Sequence, residues 1–227
     1  MLRTVLLTGL LFFACAEAAW ANAASAWEAY RAGRYKQALA ELTPLASSGN
    51  AEAEFYLGSM AMDGLAVERD PKRAAEWYEA SARQGYLPAA FSLGFLYLHG
   101  ADGFDADPAK AAQWLRRAAE AGYGPAELEL GEMYRTGNGV AVDRAEAERW
   151  ILAAARQGMP QAQFSAGALF SQDRHLPARL EAYKWFELAA RAGYPSAAEN
   201  RDTIGLYLSQ PELAEAKKNA DAFRPGG

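Results

Sequence analysis

The sequence predicts an all-α protein built as an α/α superhelical solenoid of helix-turn-helix repeats, because one pattern recurs along the chain at a nearly constant interval. Two observations define it. Leu57-Gly58, Leu93-Gly94, Leu130-Gly131 and Ala166-Gly167 are spaced by 36, 37 and 36 residues, and Trp77, Trp114, Trp150 and Trp185 by 37, 36 and 35. Intervals of this size are typical of solenoids, in which stacked units share one apolar interior.

The start of the chain has the pattern of a signal peptide, predicted to cover residues 1–23. Arg3 supplies a positive charge, and the apolar stretch from Thr4 to Cys15 is too short to span a bilayer. Ala21-Asn22-Ala23 offers small residues for cleavage after Ala23, with Ala16-Glu17-Ala18 as a second choice. We therefore expect a periplasmic or secreted protein of a bacterium. No transmembrane segment is expected after the leader is removed.

Cys15 is the only cysteine in the chain. It is interpreted as an ordinary apolar residue of the leader; the alternative is a lipoprotein acceptor, for which Phe12-Phe13-Ala14 is a poor preceding sequence. Either way the folded part has no cysteine for a disulfide or a thiolate nucleophile. The net charge of −5 and the lack of any run of Lys and Arg argue against nucleic-acid binding.

The elements follow in order. Residues 24–50 are predicted to form an N-terminal capping hairpin broken at Gly33, with apolar residues at helical spacing on both sides. Four repeats follow at 51–86, 87–123, 124–159 and 160–194. Residues 195–227 are predicted to be C-terminal capping helices, the last of which begins with Ser209 and Glu212 at capping-box spacing.

Local signals place the helix ends inside each repeat. The first helix is expected to end at a glycine (Gly64, Gly100 or Gly137), and the second to begin after Asp70-Pro71, Asp107-Pro108 or Asp143. The second helices are expected to stop at Gly85, Gly122, Gly158 and Gly193. Glycine inside a helix costs about 1 kcal/mol relative to alanine. The interior glycines Gly58, Gly94, Gly131 and Gly167 are therefore expected to allow a close helix approach, with the tryptophan filling the space beside them.

The order of these residues resembles the Sel-one-like repeat, a relative of the tetratricopeptide repeat. The resemblance rests on Ala…Leu-Gly-x-x-Tyr-x-x-Gly-x-Gly-Val…Asp…Ala…Trp…Ala-Ala…Gly and covers residues 51–194 as four copies. The third copy is the most faithful. The fourth departs most, since Ser171-Gln172-Asp173-Arg174-His175 replaces the glycine turn. The resemblance implies a non-enzymatic protein-interaction scaffold or regulatory adaptor; the 24–50 hairpin likewise resembles a tetratricopeptide hairpin.

Few residues point to catalysis, and no cofactor or metal is expected. His99 and His175 lie in different repeats without Cys or carboxylate partners at ligand spacing. No serine is followed by a lysine three residues later, so the nucleophile motif of serine β-lactamases is missing. The alternative function is a hydrolase or binder of cell-wall peptides or β-lactams, a role linked to cysteine-rich members of the resembling family.

Some positions on the first helix of each repeat change from repeat to repeat, so packing does not dictate them. The residues at these positions, which we call the variable stripe, are Tyr56, Ser59 and Asp63; Ser92, Phe95 and His99; Glu129, Glu132 and Thr136; and Ser165, Ala168 and Gln172. By contrast Phe55, Phe91, Leu128 and Phe164 recur in register and are interpreted as core.

In tetratricopeptide-like solenoids the first helices line the concave face, so the variable stripe is the predicted partner-binding site. The alternative is ordinary solvated surface. Tyr56 and Phe95 favour an interface, and Glu129 and Glu132 favour a basic segment of the partner. The partner is expected to be another protein or peptide, bound by a monomer.

Overall fold

The computed structural model describes residues 24–226, so the predicted leader with Cys15 lies outside the described residues. Every regular element among the described residues is a helix, and the prediction of an all-α repeat fold is confirmed. The helices are α1 (24–31), α2 (Tyr35–Ser47), α3 (Ala51–Asp63), α4 (Pro71–Arg83), α5 (Leu87–His99), α6 (Pro108–Glu120), α7 (Gly124–Thr136), α8 (Arg144–Arg156), α9 (Pro160–Ser171), α10 (Leu176–Arg191), α11 (Ala197–Gly205) and α12 (Gln210–Ala222).

The chain divides into two compact units. Unit 1 ends at Ala106 and contains α1 to α5, and unit 2 begins at Asp107 and contains α6 to α12. The boundary falls inside the second repeat, in the connector between α5 and α6. In that connector Ala101 and Phe104 exchange two backbone hydrogen bonds of 2.9 and 2.8 Å, which close a tight turn around Gly103.

The core of unit 1 begins at the N-terminal hairpin. Gly33 has φ of +72°, which glycine adopts without steric cost, and it separates α1 from α2. Small residues on both helices allow them to pack closely against α3. The buried residues of this cluster are Ala26, Ala29, Ala38, Leu42, Ala46, Ala53, Leu57 and Met60.

The predicted helix ends are confirmed. Gly64, Gly100 and Gly137 are the C-caps of α3, α5 and α7 and have φ of +69°, +67° and +78°. The side chains of Asp70, Asp107 and Asp143 each accept a hydrogen bond from a backbone N–H in the first turn of α4, α6 and α8. In each second helix the last helical residue is followed by the C-cap and then by a glycine with positive φ. These glycines are Gly85, Gly122, Gly158 and Gly193.

Gly58, Gly131 and Gly167, three of the four interior glycines, allow two helices to approach closely, as predicted. A Cβ on Gly131 would lie 2.7 Å from Cγ1 and 3.0 Å from the backbone nitrogen of Ile151 in α8. A Cβ on Gly58 would lie 2.7 Å from the Tyr78 ring, and one on Gly167 would lie 2.6 Å from the Phe186 ring. A side chain at any of these three positions would force the facing residue to shift, and at position 131 it would also press on the backbone of α8.

The prediction that tryptophan fills this space is wrong at these three positions. The residue against the glycine is the one that follows the tryptophan: Tyr78, Ile151 or Phe186. One residue turns a helix by 100°, so the tryptophan faces a different neighbour. Each indole instead lies beneath a cation of its own helix, with 4.4 Å from the Arg149 guanidinium to the Trp150 ring and 4.5 Å from Lys184 Nζ to the Trp185 ring.

A buried carboxylate and an amide join the two helices of the first and third repeats. Glu54 and Glu127 are 7 % and 5 % exposed. Their carboxylates accept hydrogen bonds of 2.7 Å from Gln84 and 2.9 Å from Gln157, thirty residues later in the chain. Burial raises the pKa of both carboxyl groups, and the amide hydrogen bond opposes that rise.

The last two helices cover the fourth repeat in unit 2. The predicted capping box is confirmed, since Ser209 and Glu212 exchange hydrogen bonds at the start of α12. Phe223 packs edge-on against Trp185, with ring centroids 5.5 Å apart. The Gly226 N–H then donates to the Arg156 carbonyl over 2.9 Å, which fastens the end of the chain to α8.

Candidate functional site

The variable stripe lies on α3 and α5 in unit 1 and on α7 and α9 in unit 2. Most of its side chains are half-buried or exposed. The exposed members are Asp63, Phe95, His99, Thr136 and Gln172, and the half-buried members are Tyr56, Ser59, Ser92, Glu129, Glu132, Ser165 and Ala168. Each of the four helices places its members in different surroundings.

On α3, Tyr56 packs inside unit 1. Its ring centroid lies 5.0 Å from that of Trp27 and 4.7 Å from that of Tyr30, both on α1. Burial raises the pKa of the Tyr56 hydroxyl, and the nearby Glu52 carboxylate raises it further. This contact crosses from the N-terminal hairpin to the first repeat, so no repeat-based pattern predicts it. Tyr56 therefore helps to hold the hairpin against α3.

Ser59 also has partners within unit 1. Its hydroxyl donates to the Phe55 carbonyl over 3.1 Å and accepts from the Tyr78 hydroxyl over 3.3 Å. Burial, with a smaller contribution from the nearby Asp63 carboxylate, raises the pKa of Tyr78 to about 12. Tyr78 therefore remains a neutral donor at physiological pH. Asp63, one turn beyond Ser59, is exposed.

On α5, the stripe residues border an apolar groove. Phe95 is 44 % exposed, and its ring centroid lies 4.2 Å from that of His99 and 5.9 Å from that of Phe91. The groove runs between α3, α4 and α5 and has a volume of about 260 Å³. We call it the Phe95 groove; it is lined by Met62, Tyr78, Phe91, Ser92, Phe95, Leu96, His99 and Gly100.

The sequence pattern identified Ser92, Phe95 and His99 but missed Met62, Tyr78 and Leu96. Tyr78 reaches the groove from a second helix, because the glycine at position 58 lets α4 approach α3 closely. The assignment of the recurring Phe column to the core holds for Leu128, which is 3 % exposed. Phe91 is only half-buried and lines the groove.

On α7, the acidic residues of the stripe are partly paired. The Arg135 guanidinium donates to the Glu132 carboxylate over 2.6 Å, and Thr136 donates to the Glu132 carbonyl over 2.8 Å. The Glu132 side chain remains 29 % exposed. The Glu132 charge is therefore partly balanced by Arg135 of the same helix, which weakens but does not remove its attraction for an external cation.

On α9, Ser165 is half-buried and Gln172 is the exposed C-cap. The connector that follows has no glycine turn. Instead the Asp173 carboxylate accepts from the His175 backbone N–H over 3.0 Å, and α10 begins at Leu176. Among residues 24–226, no three His, Cys, Asp or Glu side chains gather as a metal site would require. No helix in that described range is long and apolar enough to cross a membrane.

Together these features define a class: an all-α protein of paired helices in register, with varying residues on the first helix of each pair. The Sel1 repeat model matches residues 51–86, 87–123, 124–159 and 160–194, and the chain belongs to the Sel1 repeat family. Sel1 repeat proteins generally mediate protein–protein interactions, and the fold is typically a non-catalytic scaffold. The chain matches no curated protein sequence with which it was compared.

Solved structures also resemble the chain. A Sel1 repeat protein from Oxalobacter formigenes is 26% identical with a TM-score of 0.70, and the match covers 86% of this chain and 84% of that one. Another is c5321, a protective antigen present in uropathogenic Escherichia coli strains that displays an SLR fold. It is 27% identical with a TM-score of 0.52, over 83% of this chain and 48% of the antigen. The match thus spans about half the length of that antigen.

Proposed function

We propose that this chain is an exported, non-enzymatic adaptor that binds another protein or peptide through the variable stripe on the first helices of its repeats. The observation that carries the proposal is the Phe95 groove. An aromatic side chain that is 44 % exposed beside an apolar groove is costly in water unless a partner covers it. Aromatic residues in such positions often dominate the affinity of an interface.

The remainder of the stripe supports a partner with a basic segment. Asp63 is exposed in unit 1, and Glu132 keeps a partly exposed carboxylate in unit 2. Charges of this kind steer a cationic partner and fix its register more than they add affinity. The net charge of the chain, −5, is negative as well and favours the same cationic partner. We propose that the adaptor acts as a monomer, which size-exclusion chromatography with light scattering tests.

The proposed export rests on the signal-peptide pattern of residues 1–23. Intact mass spectrometry of protein purified from its own cells checks it. Loss of residues 1–23 supports export with cleavage after Ala23. A mass that includes the whole leader in the cytoplasmic fraction contradicts it, and an acylated Cys15 at the new N-terminus identifies a lipoprotein.

Partner binding is tested by affinity capture from the periplasmic fraction with quantitative mass spectrometry. The test variant is Phe95→Ser/His99→Ala/Glu132→Gln, and it spares Tyr56 because that residue packs against Trp27 and Tyr30. The control variant is Val142→Asp, which alters a side chain that is 68 % exposed and lies outside the stripe. We expect proteins that wild type and control retain to be lost from the test variant. Equal recovery by all three contradicts the proposal.

A further inference from the structure

The Phe95 groove has the size of a single side chain. An apolar cavity of about 150 Å³ holds benzene, whereas sites for drug-sized ligands begin at about 300 Å³. The groove, at about 260 Å³, lies between these limits. It suits one aromatic or long aliphatic side chain with its neighbouring backbone atoms.

The chemistry of the lining favours an apolar occupant. Met62, Phe91 and Leu96 supply apolar surface from α3 and α5. The Tyr78 hydroxyl is already used as a donor to Ser59, so the floor of the groove has no strong unsatisfied donor there. Burying a polar side chain against these groups would cost hydrogen bonds to water that the groove does not replace.

A negative charge lies beside this apolar groove. Asp63 directly follows Met62 on α3 and lies one turn beyond Ser59, whose hydroxyl accepts from the Tyr78 hydroxyl of the groove lining. The Asp63 carboxylate also contributes to raising the pKa of Tyr78. The aspartate is exposed, and no ion pair to it is seen within residues 24–226. The rings of Phe95 and His99 form the neighbouring rim, and aromatic faces also attract cations.

Resting on the proposed function, we propose that the Phe95 groove binds one large apolar side chain of a partner polypeptide, and that a Lys or Arg adjacent to that side chain pairs with Asp63. The apolar anchor supplies most of the affinity, because its burial also covers Phe95. The ion pair is at the rim and sets which side of the anchor carries the cation.

The test is selection of a phage-displayed random heptapeptide library on the immobilised protein, followed by fluorescence anisotropy with the most enriched peptide. We expect peptides that combine Trp, Phe, Leu or Met with a neighbouring Lys or Arg. Phe95→Ser is expected to weaken binding about 30-fold, as for loss of an interface anchor. Asp63→Asn is expected to weaken it about three-fold and to abolish the preference for Lys or Arg.

Two further variants keep the result interpretable. Val142→Asp is expected to bind the peptide like wild type, and circular dichroism verifies that each variant is folded. His99→Ala, an exposed rim change, replaces Phe95→Ser if the latter does not fold, with an expected loss of about five-fold. Failure to enrich any peptide, enrichment of acidic peptides, or binding that survives Phe95→Ser and His99→Ala overturns the proposal.

These outcomes are distinct from failure of the proposed function. If the adaptor captures a partner that the stripe variant loses while no peptide binds the groove, the adaptor function stands and the anchor proposal falls. If peptides bind as expected but no partner depends on the stripe, the groove is a peptide site and the adaptor function falls.

Discussion

The third and fourth repeats share one close helix contact but stabilise it differently. In both, an interior glycine lies against a large apolar residue of the next helix, Ile151 opposite Gly131 and Phe186 opposite Gly167. The third repeat adds Glu127, bonded to Gln157, and the indole N–H of Trp150, which donates to Glu146 over 2.9 Å. The contact that both repeats share is therefore the one between the glycine of the first helix and the large apolar side chain of the second.

The fourth repeat lacks those polar bonds. Gln163 stands at the register of Glu127, and the buried Trp185 indole nitrogen has no acceptor among the described residues, because Glu181 is held by Lys184. Its compensation is burial, since Phe223 of the C-terminal segment covers Trp185. In the fourth repeat, burial beneath the C-terminal segment thus takes the place of hydrogen bonds that the third repeat makes.

The largest effect is expected from Trp150→Ala. The side chain is 6 % exposed and bonded to Glu146, so truncation leaves a cavity and is expected to lower the free energy of unfolding by about 3–5 kcal/mol. Chemical denaturation monitored by circular dichroism measures it. A loss below about 1 kcal/mol would show that Trp150 is not part of the core.

The comparison of Trp150→Phe with Trp185→Phe isolates the hydrogen bond. Both changes remove a similar volume, but only the first breaks a bond to a carboxylate, so Trp150→Phe is expected to cost at least about 1 kcal/mol more. Equal losses in denaturation would mean that the Glu146 bond contributes nothing.

Gly131→Ala is expected to destabilise by about 1–3 kcal/mol, because the new Cβ meets both the Ile151 side chain and its backbone nitrogen. Gly131→Leu is expected to prevent the native packing of α7 on α8. Ala40→Gly, on an exposed interior position of α2, is the control and tests only helix propensity. A Gly131→Ala variant as stable as wild type would remove the close-approach explanation.

Glu127→Gln is expected to stabilise the protein at neutral pH by about 1 kcal/mol, since Gln keeps an acceptor for Gln157 and removes a buried charge. Burial raises the folded-state pKa above the ordinary 4.5, so the folded protein binds the proton more tightly. The free energy of unfolding of wild type therefore falls as the pH rises above 4.5 through the raised pKa of Glu127. Below pH 4.5 the carboxyl group is protonated in both the folded and the unfolded state, and the variant has no advantage.

Thermal unfolding across this pH range measures the effect, with Glu120→Gln on the exposed face of α6 as the control. A gain in melting temperature that is independent of pH would contradict the buried-charge explanation.

The smallest effect concerns the turn of the first repeat. Ala66 has φ of +58°, where the third repeat has Gly139 with φ of +76°. Glycine removes the steric strain that the Ala66 Cβ has at this positive φ, and this gain outweighs the larger entropy that glycine gives the unfolded chain. Ala66→Gly is therefore expected to stabilise the protein by about 0.5 kcal/mol. Ala40→Gly, on the exposed face of α2, is expected to destabilise by about 1 kcal/mol instead. If both glycines destabilise, the positive φ of Ala66 carries no strain.

Sequence reasoning located the helix ends because their causes are local. The Asp70-Pro71 and Asp107-Pro108 pairs and the glycine after each first helix act within one turn of the chain. The facing residue of each interior glycine was missed by one position, since periodicity gives the repeat length but not the rotation of one helix against the next. Tyr56 was placed on an open surface because α1 has no counterpart in the repeat pattern.

The buried polar pairs leave a signal in the sequence. Glu54 with Gln84 and Glu127 with Gln157 occur together, whereas the second repeat has Ala90 and Ala121 at those registers. Two residue types that are both present in some repeats and both absent from another indicate a contact between those two positions. The Phe95 groove had no such signal, because Met62 and Tyr78 reach it from two other helices.

We propose that the variable stripe on the first helices binds a partner. Site-specific photo-crosslinking in the living cell tests it most directly, with p-benzoylphenylalanine at Ser92 beside the groove or at Arg83 on the exposed end of α4. We expect a protein adduct from position 92 and none from position 83. Equal adducts from both positions, or an adduct from position 83 alone, would contradict it.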